Sequence, residues 1–118
     1  MLSKLDHLLF KANGYKAIFT QKTDDEFVSD RDCRLGNWYF NGKGKENFAK
    51  CISFAKMAKP HQGVHDNIKK AVECVKAGTC TTEAKNVMTY FEEAEKASHE
   101  VTQILSSLLQ EEKNLRHN

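Results

Sequence analysis

Hydrophobic residues recur at helical spacing along most of the chain, separated by short polar segments. Ser3 is placed to cap the first predicted helix. The apolar stripe of that helix consists of Leu5, Leu8, Leu9, Ala12, Tyr15 and Phe19. Because residues three and four apart lie on one helix face, this spacing predicts a helix that fades near 20–23. Residues 24–32 are polar and are expected to form a loop, after which Cys33 begins a short helix.

The rest of the chain predicts three further helices joined by short links. They span residues 46–59, 60–77 and 83–115, the last capped by Thr81 or Thr82. The segment 41–45 contains two glycines and is predicted to be a flexible turn. Pro60 is expected at the first position of its helix and Gly78 at a left-handed cap. With no strand pattern in the sequence, we predict an all-α fold, a four-helix bundle with a short extra helix.

The length and net charge of the chain limit the classes of partner that we expect it to bind. Its 118 residues fit one domain, which we assign to residues 2–118. The net charge of +2 is too small to favour nucleic acid or an acidic membrane surface as a partner. No apolar run approaches the roughly 20 residues that cross a bilayer, so direct membrane insertion is not expected.

The four cysteines are expected to be thiols or metal ligands rather than disulfides. The N-terminus shows no charged segment followed by an apolar one, as a signal peptide would. A reducing cytoplasm is therefore the expected location. Cys51 and Cys74 are predicted to be small buried residues, and Cys80, close to Gly78, is predicted to be exposed.

His61 and His65 are the first candidates for metal ligands. Four residues apart on a predicted helix, they share a face with Cβ atoms roughly 6 Å apart. Five histidines make a chance pair common, so this spacing alone is weak evidence. A zinc protease needs Glu directly after the first His, and Gln62 cannot serve as a base. A di-iron bundle would need carboxylates beside the histidines at helical spacing, which this sequence lacks.

Two further soft ligands strengthen the hypothesis of a metal site. His7 lies among apolar residues of the first helix, where an unpaired imidazole would be costly to bury. Cys33 begins a segment rich in apolar residues. Three histidines and one cysteine would complete a tetrahedral Zn²⁺ shell with no open position. A closed shell favours a structural or sensing role and argues against an enzyme.

The segment Cys33-Arg34-Leu35-Gly36-Asn37-Trp38-Tyr39 resembles the Cys-x-(large apolar)-Gly-x-Trp core of the chemoreceptor zinc-binding domain family. That family has one His in its first helix before this motif and a His-x-x-x-His pair after it. His7, Cys33, His61 and His65 match this order and spacing, and the resemblance covers about residues 2–109. The family's first-helix aromatic, often Trp, has Phe10 as its nearest counterpart here.

The resemblance implies a cytoplasmic bacterial module that forms a helical homodimer and senses zinc or oxidants such as hypochlorous acid. Its output would pass to the signalling domain of a chemoreceptor. A diguanylate cyclase partner and a stand-alone module stay open as alternatives. Cys33 would be the redox-sensing ligand, because a zinc-bound thiolate reacts with oxidants. Gly36 and Trp38 are expected to support the site. A pure dimerisation module with incidental histidines is the remaining alternative.

Overall fold

The computed structural model describes residues 2–22 and 27–116, with side chains over residues 7–22 and 27–115. The side chains of the predicted cap Ser3 and of stripe position Leu5 lie outside the described residues, and so do residues 24–26 of the predicted loop. All regular structure in the described residues is helical, as predicted. The helices are α1 (Leu2–Thr20), α2 (Arg34–Phe40), α3 (Lys43–Phe48), α4 (Ala58–Ala77) and α5 (Ala84–Arg116), with a 3₁₀ turn at Phe54–Lys56.

The predicted helix over 46–59 is wrong. Helix α3 instead begins at Lys43, inside the segment predicted as a flexible turn, and ends at Phe48. It is followed by turns with i→i+3 backbone hydrogen bonds. The reason is burial: Cys51 and Met57 are both buried, whereas Ile52 is 79% exposed. A straight α-helix would point residues six apart about 120° away from each other, so it could not bury both on one face.

The two long C-terminal helices follow the sequence closely. Helix α4 begins two residues before Pro60, which therefore lies in the first turn, where a missing N–H breaks no helical hydrogen bond. Gly78 ends α4 with φ +69°, the predicted left-handed cap. Helix α5 differs from its prediction by one residue at each end.

Helices α4 and α5 form a hairpin, and α1 packs against α4. Near the α4–α5 turn the core contains Ile68, Ala71, Cys74, Val87, Phe91 and Ala94. Toward the other end of the hairpin, α2 and the 3₁₀ turn cover a second core of Leu35, Tyr39, Cys51, Met57, Val64, Val101, Leu105 and Leu108. Only three of the described helices are long, so a four-helix bundle is not confirmed. No helix in the described part of the chain is long and apolar enough to cross a membrane.

The expectation that all four cysteines are thiols is wrong for two of them. Cys74 and Cys80 form a disulfide, with an S–S distance of 2.01 Å. The turn after α4 folds the chain back on itself and brings the two Cα atoms to 4.8 Å. Cys74 is buried, as predicted, but Cys80 is half-buried rather than exposed. Cys51 is a buried thiol, as expected.

Candidate metal centre

The four predicted ligands come from three parts of the fold and meet at one point. His7 lies on α1, Cys33 immediately precedes α2, and His61 and His65 occupy successive turns of α4. Their ligand atoms all lie within 4.8 Å of one another. We call these four residues the candidate zinc site. Among the described residues, this group includes no carboxylate.

Four of the six distances between the ligand atoms are close to the edges of a zinc tetrahedron. His7 Nε2 lies 3.1 Å from His61 Nε2 and 3.3 Å from His65 Nε2. Cys33 Sγ lies 3.2 Å from His61 Nε2 and 3.6 Å from His7 Nε2. Zinc bonds of about 2.0–2.1 Å to nitrogen and 2.3 Å to sulfur give tetrahedron edges of roughly 3.3–3.6 Å. The four donors therefore suit Zn²⁺ in chemistry, and four of their six distances are close to tetrahedral edges, with all six within 4.8 Å.

Burial keeps the imidazoles of His61 and His65 in the neutral state that binds metal. His7 is 6% exposed, His61 1% and His65 is fully buried. Burial, and secondarily the neighbouring His65, lowers the pKa of His61 to about 4. Burial also lowers the pKa of His65. Neutral imidazole is the ligand form, so His61 and His65 do not have to lose a proton to bind a cation at neutral pH.

The loop before α2 fixes the orientation of His65. His65 Nδ1 lies 2.9 Å from the carbonyl oxygen of Val28. A carbonyl only accepts, so Nδ1 carries the proton and Nε2 directs a lone pair into the site. Metal-bound histidines almost always have such an outer hydrogen bond, which sets the tautomer and the ring orientation. The Val28 carbonyl is thus a functional group that sequence reasoning missed, because no side chain signals it.

Cys33 is the N-cap of α2, and the local backbone shapes its environment. The amide of Gly36 donates to Cys33 Sγ at 3.3 Å, an interaction that favours a thiolate. The sulfur also lies 3.5 Å from the carbonyl oxygen of Asp30. A Cβ at position 36 would lie 1.9 Å from that same oxygen. Only glycine lets the loop approach α2 this closely, which accounts for the predicted supporting role of Gly36.

The two aromatic residues expected near the site, Phe10 and Trp38, make contacts with different parts of the fold. The Phe10 ring centroid lies 4.4 Å from that of His65, and 5.5 Å from that of Phe27. Phe10 therefore covers the site from α1, the place expected for the first-helix aromatic. Trp38 contacts α3 instead, with its ring 5.3 Å from Phe48 and against the backbone of Gly44. Trp38 holds α2 on α3, and any support it gives to the site is indirect.

A groove between α1 and α5 reaches one ligand of the site. Its volume is about 210 Å³. Its lining consists of His7, Leu8, Lys11, Ser98, Val101, Thr102 and Leu105. One member of the candidate zinc site, His7, therefore contributes to the wall of a surface groove.

Comparison with known proteins gives one match. No curated protein and no solved structure matches this chain. The chemoreceptor zinc-binding domain matches residues 7–72, a span that contains all four residues of the candidate zinc site. The wider assignment of 2–118 as one domain stays a prediction. Because the match covers more than half of the sequence, the chain belongs to the chemoreceptor zinc-binding domain family.

Proposed function

We propose that this protein is a zinc-binding sensory domain, not an enzyme, and that it holds one Zn²⁺ with His7, Cys33, His61 and His65. The observation that carries the proposal is the convergence of four soft donors within 4.8 Å of one another in a buried position. Gln62 is exposed beside the site, and the ligand group contains no carboxylate to act as a base. Both features favour sensing over hydrolysis and over di-iron chemistry.

Cys33 is the ligand through which we propose the site responds to oxidants. When bound, zinc would keep this sulfur as a thiolate, the form that hypochlorous acid and peroxides attack. Oxidation of Cys33 to the sulfenic acid weakens its hold on a cation. The response to zinc availability uses the same residue, because unligated Cys33 no longer ties α2 to α4. Cys33 is half-buried, which leaves it open to small oxidants.

A chain of contacts supports a route from Cys33 to α5. At the end of α2, the Tyr39 hydroxyl donates to the Phe54 carbonyl at 2.7 Å, and the two rings stack at 4.2 Å. Next to Phe54, the amide and hydroxyl of Ser53 donate to the carboxylate of Glu111 on α5 at 3.0 and 2.5 Å. We infer that displacement of α2 passes through these contacts to the C-terminal half of α5.

The family description favours the signalling domain of a cytoplasmic chemoreceptor as the partner of this domain. Under this proposal a diguanylate cyclase is the alternative output. The modest net charge supports a protein partner over nucleic acid. Oxidant or zinc sensing would then control chemotaxis signalling. A receptor fusion that keeps its response to hypochlorous acid after Cys33→Ala would contradict this part of the proposal.

We also propose that the domain is a homodimer. Three residues of the predicted apolar stripe of α1 are exposed: Leu8 at 58%, Tyr15 at 36% and Phe19 at 85%. These residues lie seven and eleven positions apart, so they share one face of the helix. A second copy would cover this face. Light scattering should give twice the chain mass for the native protein, and Phe19→Lys should shift it toward the monomer. A native protein that is monomeric at high concentration would contradict the dimer.

The zinc proposal is tested by the metal content of protein purified without chelator. We expect one zinc per chain in the native protein, almost none in Cys33→Ala, and one in the matched control Cys51→Ala. Cys51 is also a buried thiol but lies outside the ligand group. Absence of zinc from the native protein, or iron in its place with a charge-transfer band, would overturn the proposal.

A further inference from the structure

We propose that Cys74 and Cys80 form a second redox site, a reversible thiol–disulfide pair that oxidants close independently of Cys33. The two residues lie at the turn between α4 and α5 and are joined in the structure. We call residues 74–80 the disulfide turn. Cys74 lies nine positions after His65 on α4, about 13 Å along the helix axis. The cysteine pair therefore lies outside the candidate zinc site.

Two backbone hydrogen bonds hold the chain around the two cysteines in addition to the disulfide. Gly78 N donates to Val75 O at 3.3 Å, and Thr79 N donates to Cys74 O at 2.9 Å. These two hydrogen bonds form a Schellman motif, with Gly78 in the left-handed conformation at φ +69°. The motif fixes the chain just before Cys80 against the end of α4. Reduced thiols would consequently stay close, which makes closure an intramolecular step with a high effective concentration.

The two sulfurs differ in access, which assigns their roles. Cys74 is 3% exposed and belongs to the core with Ile68 and Phe91. Cys80 is half-buried at the edge of that core. An oxidant or reductant in solution therefore meets Cys80 first. Cys80 is therefore the residue that reacts with the oxidant or with the reducing thiol, and Cys74 is the resolving residue, which forms the S–S bond with Cys80 or leaves it.

The chemistry balances with a peroxide as the oxidant. The Cys80 thiolate attacks one peroxide oxygen and breaks the O–O bond. Cys80 becomes a sulfenic acid, and the other oxygen, with the proton from the thiol, leaves as water. Cys74 then attacks the Cys80 sulfur and forms the S–S bond, and the sulfenic oxygen leaves as a second water. In the reverse direction two small-molecule thiols are oxidised to their own disulfide and return both cysteines to thiols.

The remaining cysteines argue for a reversible pair rather than a permanent one. Cys33 and Cys51 are not in disulfides, and Cys33 belongs to the metal-ligand group as a sulfur donor. A sulfur can bind metal only while it is reduced, so the protein works where thiols persist. In such a compartment disulfides are usually transient, catalytic or redox-sensing. The disulfide turn is then closed only while oxidant is present.

Trypsin offers a direct test, because its cleavage sites put every cysteine on a different peptide. The four peptides are 32–34, 51–56, 71–76 and 77–85. The full chain is reduced, exchanged into zinc-containing buffer, treated with hydrogen peroxide, alkylated and digested. We expect peptides 71–76 and 77–85 to appear as one disulfide-linked species. Its mass should be lower by two hydrogen atoms than the summed mass of the two unalkylated peptides. Millimolar glutathione, added to the folded protein, should return them to two alkylated peptides.

Three variants complete the test. Cys80→Ser should abolish the linked species, whereas Cys51→Ser and Cys33→Ser should leave it unchanged. Failure to form the link, a link to another cysteine, or its loss in Cys33→Ser would overturn the proposal. A link that persists in folded protein under glutathione would show a permanent structural bond and overturn it as well. Zinc content measured on the same samples reports separately on the proposed function, because Cys80→Ser should keep one zinc per chain.

Discussion

The two ends of α4 place sulfur atoms by different physical means. At the N-terminal end, Cys33 meets His61 across 28 residues of sequence, which contain α2, α3 and the 3₁₀ turn. At the C-terminal end, Cys74 and Cys80 are six residues apart in one turn. The first arrangement depends on tertiary packing and, we propose, on an ion. The second depends on two backbone hydrogen bonds and one glycine.

This difference predicts how each end of α4 responds when zinc is removed or the disulfide is reduced. The candidate zinc site connects α1, α2 and α4, so loss of the ion removes a constraint among three elements. The disulfide turn closes one short loop whose ends the helix cap already holds together. We therefore expect large, long-range effects at the first end and small, local effects at the second.

Removal of zinc should have the largest effect on stability. With free zinc at about 1,000 times its Kd, binding adds about 4 kcal/mol to the free energy of unfolding. Thermal unfolding with and without a chelator measures this difference. Cys33→Ala is the control and should be insensitive to chelator. If the native protein melts at the same temperature in both conditions, the histidines do not bind a stabilising metal. The N-terminal end of α4 is then held by packing alone.

Substitution of one glycine at each end should sharpen the contrast in stability between the two ends. Gly36→Ala should cost about 3 kcal/mol, because its Cβ would lie 1.9 Å from Asp30 O and overpack a closed contact. A Cβ at position 78 would meet no atom within 4 Å, so the only cost of Gly78→Ala is the left-handed backbone with φ of +69°. Its expected cost is about 1 kcal/mol. Urea unfolding of zinc-loaded protein measures both, and equal losses would remove the proposed contrast.

Opening the disulfide should cost less than losing zinc. A loop this short restricts the unfolded chain by about 2 kcal/mol in the chain-entropy model. Dithiothreitol should lower the melting temperature of the native protein and leave that of Cys80→Ser unchanged. Hydrogen exchange should rise in the disulfide turn but not near His7 or Cys33. Increased exchange at α2 on reduction would show that the two ends are coupled.

The sequence was sufficient where one local signal decided the structure. The regular apolar spacing of α5 predicted both its ends within one residue. Gly78 alone marked the left-handed end of α4. The candidate zinc site followed from four residues whose order and spacing match a family pattern, and the structure brings their donor atoms together.

Prediction from sequence was poorer where burial depends on distant partners. The 46–59 segment has apolar residues at helical spacing, yet the fold buries Cys51 and Met57 instead of Ile52. The apolar stripe of α1 has helical periodicity, but periodicity does not say whether Phe19 faces a core or a second chain. The turn at Gly78 was predicted, and the pairing of Cys74 with Cys80 was not, because the expected reducing compartment outweighed proximity.

The smallest predicted effect lies in the contact between Ser53 and Glu111, which links the first end of the molecule to α5. Hydrogen bonds from the Ser53 hydroxyl and then its amide hold the pKa of Glu111 below its usual range. A carboxyl with a lowered folded-state pKa adds stability above its unfolded-state pKa. That stability is lost as the pH falls through the lowered value.

Ser53→Ala should therefore raise the pKa of Glu111, whereas Ser53→Thr keeps a hydroxyl and should change it less. The chemical shift of the Glu111 carboxyl carbon during an acid titration measures this pKa. If Ser53→Ala leaves it unchanged, the contact is absent in solution and the proposed route from Cys33 to α5 loses its last step.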